Sequence, residues 1–130
     1  MTMKLLFPLD GSDRGKRAVS AVEKLALALD AEVILLTVVE DAEEARADAD
    51  SRLRELAEKF TGSVRYRIEC GLPAACILQV IADEAPDIVV MSSHGEQGFS
   101  ELPMGAVVRD VIKASKVPVT VVGPSVELAL

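Results

Sequence analysis

Apolar residues in this chain alternate between short β-branched runs and longer stretches at helical spacing. Residues 4–10 (KLLFPLD) form an apolar run that ends in an acid and a glycine, as suits a buried strand. Ser12 or Asp13 can then cap a helix that carries Ala18, Val22, Leu25, Ala26 and Leu29 on one side. Residues 32–39 (EVILLTVV) predict a second strand. Residues 41–61 predict a helix with Ala45, Ala49, Leu53, Leu56, Ala57 and Phe60 on one face, closed by Gly62. Residues 63–70 alternate strictly, Val64, Tyr66, Ile68 and Cys70 against Arg65, Arg67 and Glu69. Pro73, favoured in a first turn, opens a third helix with Ile77, Leu78, Ile81 and Ala82. Residues 87–91 (DIVVM) predict a fourth strand. Residues 105–115 predict a helix with Val107, Val108, Val111 and Ile112, and residues 117–122 (VPVTVV) a fifth strand.

Strands that alternate with helices imply right-handed crossovers and a parallel sheet covered on both faces. The first, second and fourth runs are almost continuously apolar, as central parallel strands are. The third alternates, so one of its faces is expected to be wet. The fifth contains Pro118, which cannot donate to a ladder and so favours an edge. The pattern therefore predicts an α/β chain, a five-stranded parallel doubly wound sandwich of Rossmann-like type. A length of 130 residues suits one domain spanning residues 1–130.

Composition narrows the function. Half of the residues are apolar but only 3% are aromatic, so Ala, Val, Leu and Ile must fill the core. With 21 acids against 14 bases the net charge is −7, a poor basis for nucleic-acid binding, which depends on neutralising phosphates. Part of that charge lies at residues 40–59, read as the solvated face of the second helix, away from any site. Cys70 and Cys76 are too few and too close for a disulfide framework or a zinc knuckle, and read as small buried hydrophobes. The first residues form neither a signal peptide nor a membrane span, so the expected location is cytoplasmic, with no membrane partner.

In open α/β sheets ligands bind beyond the carboxyl ends of the strands, where the strand order reverses. Here that end collects Asp10, Gly11 and Ser12 after the first strand and Ser92 to Gly95 after the fourth. The Gly11–Gly15–Lys16–Arg17 run resembles a phosphate loop but has three residues between its glycines instead of four. Arg17 also stands where a magnesium-binding hydroxyl belongs. No dinucleotide glycine fingerprint follows a strand. A receiver domain needs an aspartate where this chain has Cys70 and Gly71, and the acidic DGSDRG loop does not suit a flavodoxin. The connection SSHGEQGFSELPMG is more informative. Its glycines allow close backbone approach, and Gly105 opens a helix whose N–H groups and dipole favour an anion.

These segments together, from PLDGS at residues 8–12 through LLTVV, DIVVMSSHG and the glycine loop to VPVTVV, resemble the universal stress proteins over nearly the whole length. The family's nucleotide signature is a Gly, two residues, a Gly, nine residues, then Gly and Ser or Thr. Here it reads Ser92, two residues, Gly95, nine residues, Gly105, Ala106. The spacing is kept, while Ser92 replaces a Gly and Ala106 replaces the hydroxyl residue. The resemblance implies strand order 3-2-1-4-5 and an adenine nucleotide, ATP or AMP, with Mg if ATP. Carried over, Asp10 would accept from the adenine edge beside the Val38 backbone, and Pro8 would line the pocket. Ser12 and His94 belong to the same loops. Met91 and Ser92 would face the ribose, and Gly95, Gly105 and the N–H groups of Ala106 and Val107 would hold phosphates. The loss of a hydroxyl at 106 is expected to weaken binding.

No catalytic residue is assigned. His94 is the only histidine, and no serine has a base and orienting acid in view. The resemblance implies at most slow ATP hydrolysis or autophosphorylation. The apolar last strand, with Val117, Val119, Val121 and Val122, is expected to be an exposed edge covered by a second copy, giving a homodimer. Two readings therefore stand: a stress-type regulatory module that binds an adenine nucleotide, and a dimeric interaction module that does not.

Overall fold

The computed structural model describes residues 2–10, 13–92 and 105–123. Strands β1 (Met3–Pro8), β2 (Ala31–Val39), β3 (Val64–Cys70), β4 (Ile88–Ser92) and β5 (Val119–Val122) alternate with α1 (Asp13–Leu29), α2 (Glu43–Ala57), α3 (Pro73–Glu84) and α4 (Ala106–Ala114). All neighbouring strands are parallel, in the order β3-β2-β1-β4-β5. The doubly wound architecture and the strand order agree with the sequence reading. Because side chains alternate along a strand, the sheet has two separate cores. Leu5, Phe7, Val33, Leu35 and Val90 face α1 and α2. Leu6, Ile34, Leu36, Val89 and Met91 face α3 and α4. Phe7 is the one fully buried aromatic ring among the described residues; aliphatic side chains do the rest.

Several elements, α2 and β5 most of all, are shorter than expected, for local reasons. α2 ends at Ala57, where i+3 bonds from Lys59 to Leu56 and from Phe60 to Ala57 tighten the last turn; Gly62 lies beyond it and does not cap the helix. β5 begins at Val119 because Ser115 ties back Val117, two residues earlier, its hydroxyl donating to the Val117 carbonyl at 2.8 Å and accepting from the Val117 N–H at 3.1 Å. The carbonyl of Pro118 still accepts from Val89 N–H at 2.9 Å. Ala82 and Ile112, expected on apolar faces, are exposed. Cys70 and Cys76 are half-buried rather than buried, and burial pushes the Cys76 thiol up. The apolar side chains of the β5 segment are also not fully exposed, since Val117, Val119 and Val121 pack against the second core and Val122 is buried.

The face of β3 expected to be wet is partly exposed and carries an ion-pair network. Arg65 donates to both carboxylate oxygens of Glu84 on α3, at 2.9 and 2.5 Å, and also to Glu32 on β2 at 3.2 Å. Arg67 reaches Glu84 at 3.1 Å and Glu69 at 3.1 Å. The network fastens the edge strand to α3 where apolar residues are missing. Hydrogen bonds from Arg65, then from Arg67, hold the Glu84 carboxyl at about 2, well below its ordinary 4.5. A depressed carboxylate stabilises the fold above its unfolded value and loses that contribution as pH falls. Stability from this group is therefore complete above about pH 4.5 and disappears toward pH 2, with a size on the order of 2 kcal/mol once solvent screening of the half-exposed arginines is included. Glu84→Gln is expected to remove this limb from a pH series of urea melts while leaving the slope between pH 6 and 8 unchanged.

Candidate functional site

The geometry begins where β1 leaves the sheet. The Leu9 N–H donates to the Leu36 carbonyl at 2.9 Å, and the Thr37 hydroxyl donates to the Leu9 carbonyl at 3.1 Å. Thr37 is 6% exposed and is the one buried polar side chain among the described residues. β1 ends at Pro8, but β2 runs on to Val39. Peptide groups point alternately to the two neighbours of a strand. The Leu36 carbonyl faces β1, and the Val39 carbonyl faces β3, where it accepts from Gly71 N–H at 3.3 Å. Val38 therefore turns its N–H and C=O toward the β1 side, past the point where β1 has left.

Asp10 follows this exit directly. The residue is half-buried, and its Oδ2 atom is buried. Asp10, Thr37 and Val38 line one side of a cavity of about 330 Å³. α2 forms the opposite side. Leu53 and Leu56 provide its apolar floor, while Asp48 and Arg52 stand on its wall. The space exists because the α2 residues nearest the strand ends, Ala45 and Ala49, are small. Its size falls within the ordinary range for a small organic ligand.

The start of α4 lies at the same end of the sheet, because a parallel crossover returns each helix from the carboxyl end of its strand. Gly105 is its N-cap, with φ 72° and ψ 151° and no capping side chain. The first bond within the helix runs from Arg109 N–H to the Gly105 carbonyl at 3.2 Å. First-turn N–H groups, including those of Ala106 and Val107, precede it and can serve an anion. A larger cavity of about 540 Å³ opens at the opposite end of the sheet. It collects Glu23, Asp30 and Glu32, together with the carboxyl end of α1, and its Lys4 ammonium already donates to the Glu84 carbonyl at 3.0 Å. The first turn of α4 favours an anion at the carboxyl end, although Asp10, Glu40 and Asp48 also line the first cavity, whereas the carboxyl end of α1 disfavours one at the second.

Several residues singled out in the sequence meet at this end. Pro8 is buried at the end of β1, Ser92 is half-buried at the end of β4, Gly105 is buried, Val107 half-buried and Ala106 exposed. Met91 is placed differently: its side chain is 1% exposed and packs in the core under α3 and α4, so it does not face the cavity. Ser12, His94 and Gly95 lie outside the described residues. The sequence reading missed Thr37, and it treated the charges of α2 as remote from the site, whereas Asp48 and Arg52 line the cavity. The available signal was the pair Ala45 and Ala49, one turn apart on the face turned toward the sheet.

Fold and site together define an open, doubly wound α/β module with a crevice beyond the carboxyl ends of β1 and β2, under α2. The chain belongs to the universal stress protein family, whose model matches residues 1–123. It is 29% identical to universal stress protein MJ0577 of Methanocaldococcus jannaschii, over 94% of this chain and 95% of that protein. A solved structure of MJ0577 superposes with a TM-score of 0.77 at 31% identity, covering 95% of this chain and 96% of that one. A universal stress protein in complex with cAMP superposes at 0.79 and 24% identity, over 95% and 98% of the two chains. One from Archaeoglobus fulgidus in complex with dAMP does so at 0.74 and 16%, over 93% and 97%.

The Gly105 conformation is one that only glycine adopts without strain. Gly105→Ala is expected to destabilise the chain by about 1–3 kcal/mol, read as a lower urea midpoint with an unchanged slope.

Proposed function

We propose that this chain is a universal-stress-type regulatory module that binds an adenine nucleotide, ATP or AMP, at the carboxyl ends of β1 and β4, with β2 completing the base pocket. The observation that carries this reading is the Val38 peptide group turned into the cavity beside Asp10. Adenine presents an amino donor next to a ring-nitrogen acceptor on one edge. A peptide N–H and C=O, with a carboxylate beside them, offer complementary groups to that edge. The sugar would lie toward Ser92, and the phosphates toward the first turn of α4, where N–H donors and the helix dipole favour negative charge. Solved structures of the same fold hold cAMP and dAMP, which supports an adenine nucleotide as the ligand class.

The two departures from the signature carry different weight. Ser92 lies in β4 and is not among the non-glycine residues of positive φ, so its Cβ imposes no backbone strain. Ala106 lacks a hydroxyl that could donate to a phosphate oxygen, while the N–H groups of the same turn remain. Among the described residues no group of three or more His, Cys, Asp or Glu side chains is arranged to hold a metal, so magnesium would enter with ATP, on its phosphates. Among those residues, too, no helix is long and apolar enough to cross a membrane.

Asp10→Ala should weaken AMP and ATP binding by about 10- to 100-fold, as expected for loss of a hydrogen bond to a charged acceptor. Ala106→Ser should strengthen ATP binding by several-fold. Both are measured by calorimetry, beside a test for ATP, ADP or AMP in the supernatant of the acid-precipitated protein. No released nucleotide and no heat at millimolar ATP with magnesium would contradict the proposal. Such a result would favour the second reading, a dimeric interaction module without nucleotide, for which the missing hydroxyl at Ala106 is the supporting feature.

The proposed homodimer forms through the segment from Val117 to Val122. β5 is the last strand of the sheet, and the Pro118 carbonyl is directed at β4. By alternation the peptide groups of Val119 and Val121 face outward, available to a second copy. Val121→Pro removes an outward N–H without touching the ladder to β4. Analytical ultracentrifugation is expected to give twice the chain mass for the wild type and the chain mass for this variant, with unchanged circular dichroism.

A further inference from the structure

We infer that Arg52 on α2 is a specificity-determining residue, its guanidinium plane lying against the ligand's heterocyclic base; this rests on the nucleotide reading above. A purine in a pocket gains both affinity and selectivity from a flat group stacked on its face. This chain has almost no aromatic rings to supply one. Phe7 is fully buried in the core under α1 and α2. Phe60 packs against the edge of that core, and Tyr66 does likewise while its hydroxyl donates to Asp50 at 2.8 Å. Among the described residues none of those lining the cavity is aromatic.

Among the described residues that line the cavity, Arg52 is the one with a planar cationic group. It lines the cavity from α2, one turn beyond Asp48 and beside Ala49. The other two arginines of that helix are already engaged, Arg46 with Asp41 at 3.6 Å and Arg54 with Asp50 at 2.6 Å. Arg52 is exposed and forms no ion pair or hydrogen bond among the described residues, not even with Asp48 at the i−4 position. A guanidinium is flat and weakly hydrated, and it stacks on π-systems in a way that an ammonium does not. The small side chains of Ala45 and Ala49 leave a slot between this group and the ends of the strands, where Asp10 and Val38 would read the edge of the base.

The test compares wild type, Arg52→Met and Arg52→Lys for ATP, CTP and inorganic tripolyphosphate by calorimetry. Methionine keeps a long apolar stem but loses the flat cation, and lysine keeps the charge but loses the plane. Arg52→Met is expected to weaken ATP about 3- to 30-fold, to narrow the preference for ATP over CTP, and to leave tripolyphosphate unchanged. Arg52→Lys should recover only part of the loss. Melting temperatures should match, because the side chain is exposed. Equal ATP affinity in wild type and Arg52→Met would overturn the inference while leaving the nucleotide reading intact. A matching loss of ATP and tripolyphosphate would also overturn it, since the residue would then act on phosphate. A wild-type chain that binds none of the three probes would overturn both.

Discussion

Two hydrogen bonds at the exit of the first strand set the rest of the site. The Leu9 N–H holds the Leu36 carbonyl, and the buried Thr37 hydroxyl holds the Leu9 carbonyl. Together they satisfy the backbone of β1 at the point where it turns away, so the strand can end early without leaving a buried acceptor unpaired. The longer β2 then presents the Val38 peptide to a crevice rather than to a neighbouring strand. Asp10 is held at the head of that crevice because it follows Leu9 directly. The crevice follows from a difference in length between two parallel strands, with one hydroxyl holding the end of the shorter.

The proposed anion-binding half of the site depends on the same logic of backbone groups. The −7 charge of the chain would oppose a phosphate held by surface electrostatics alone. N–H groups at a helix start act over a short range and are little affected by distant charges. Gly105, in a conformation reserved for glycine, directs the first turn of α4 toward the strand ends. Acidic side chains line both ends of the sheet, Glu23, Asp30 and Glu32 at the far end and Asp10, Glu40 and Asp48 at the carboxyl end, so the first turn of α4 is what sets the two apart for an anion. On α2 the pattern changes locally, because Arg52 faces the cavity while its neighbours form ion pairs along the helix.

Much of this was legible in the chain. Continuous apolar runs marked the central strands, and Pro118 marked an edge, because both signals follow directly from burial and ladder bonding. Of the candidate site, the sequence pattern located places on the backbone: Asp10, Val38 and Gly105 lie at or just beyond strand or helix ends. It was not legible where it depends on the direction of a side chain. Met91 reads as a pocket residue from its place in the chain, but strand alternation turns it into the opposite core. Asp48 and Arg52 are solvated charges, as read, but a helical period cannot show that they also border a cavity. The alternating β3 was read as half wet because a run of Arg and Glu carries no sign that a carboxylate on α3 will meet it.

The central claim is that an adenine nucleotide contacts the Val38 peptide group and the first turn of α4 at once. Titration of isotopically labelled protein with AMP, followed by backbone amide NMR, tests it directly. The Val38, Ala106 and Val107 amides are expected to shift together along one saturating curve. Leu27 and Gly62, beside the cavity at the far end of the sheet, should stay in place. Shifts confined to that far end, or no shift at Val38 at saturating AMP, would contradict it.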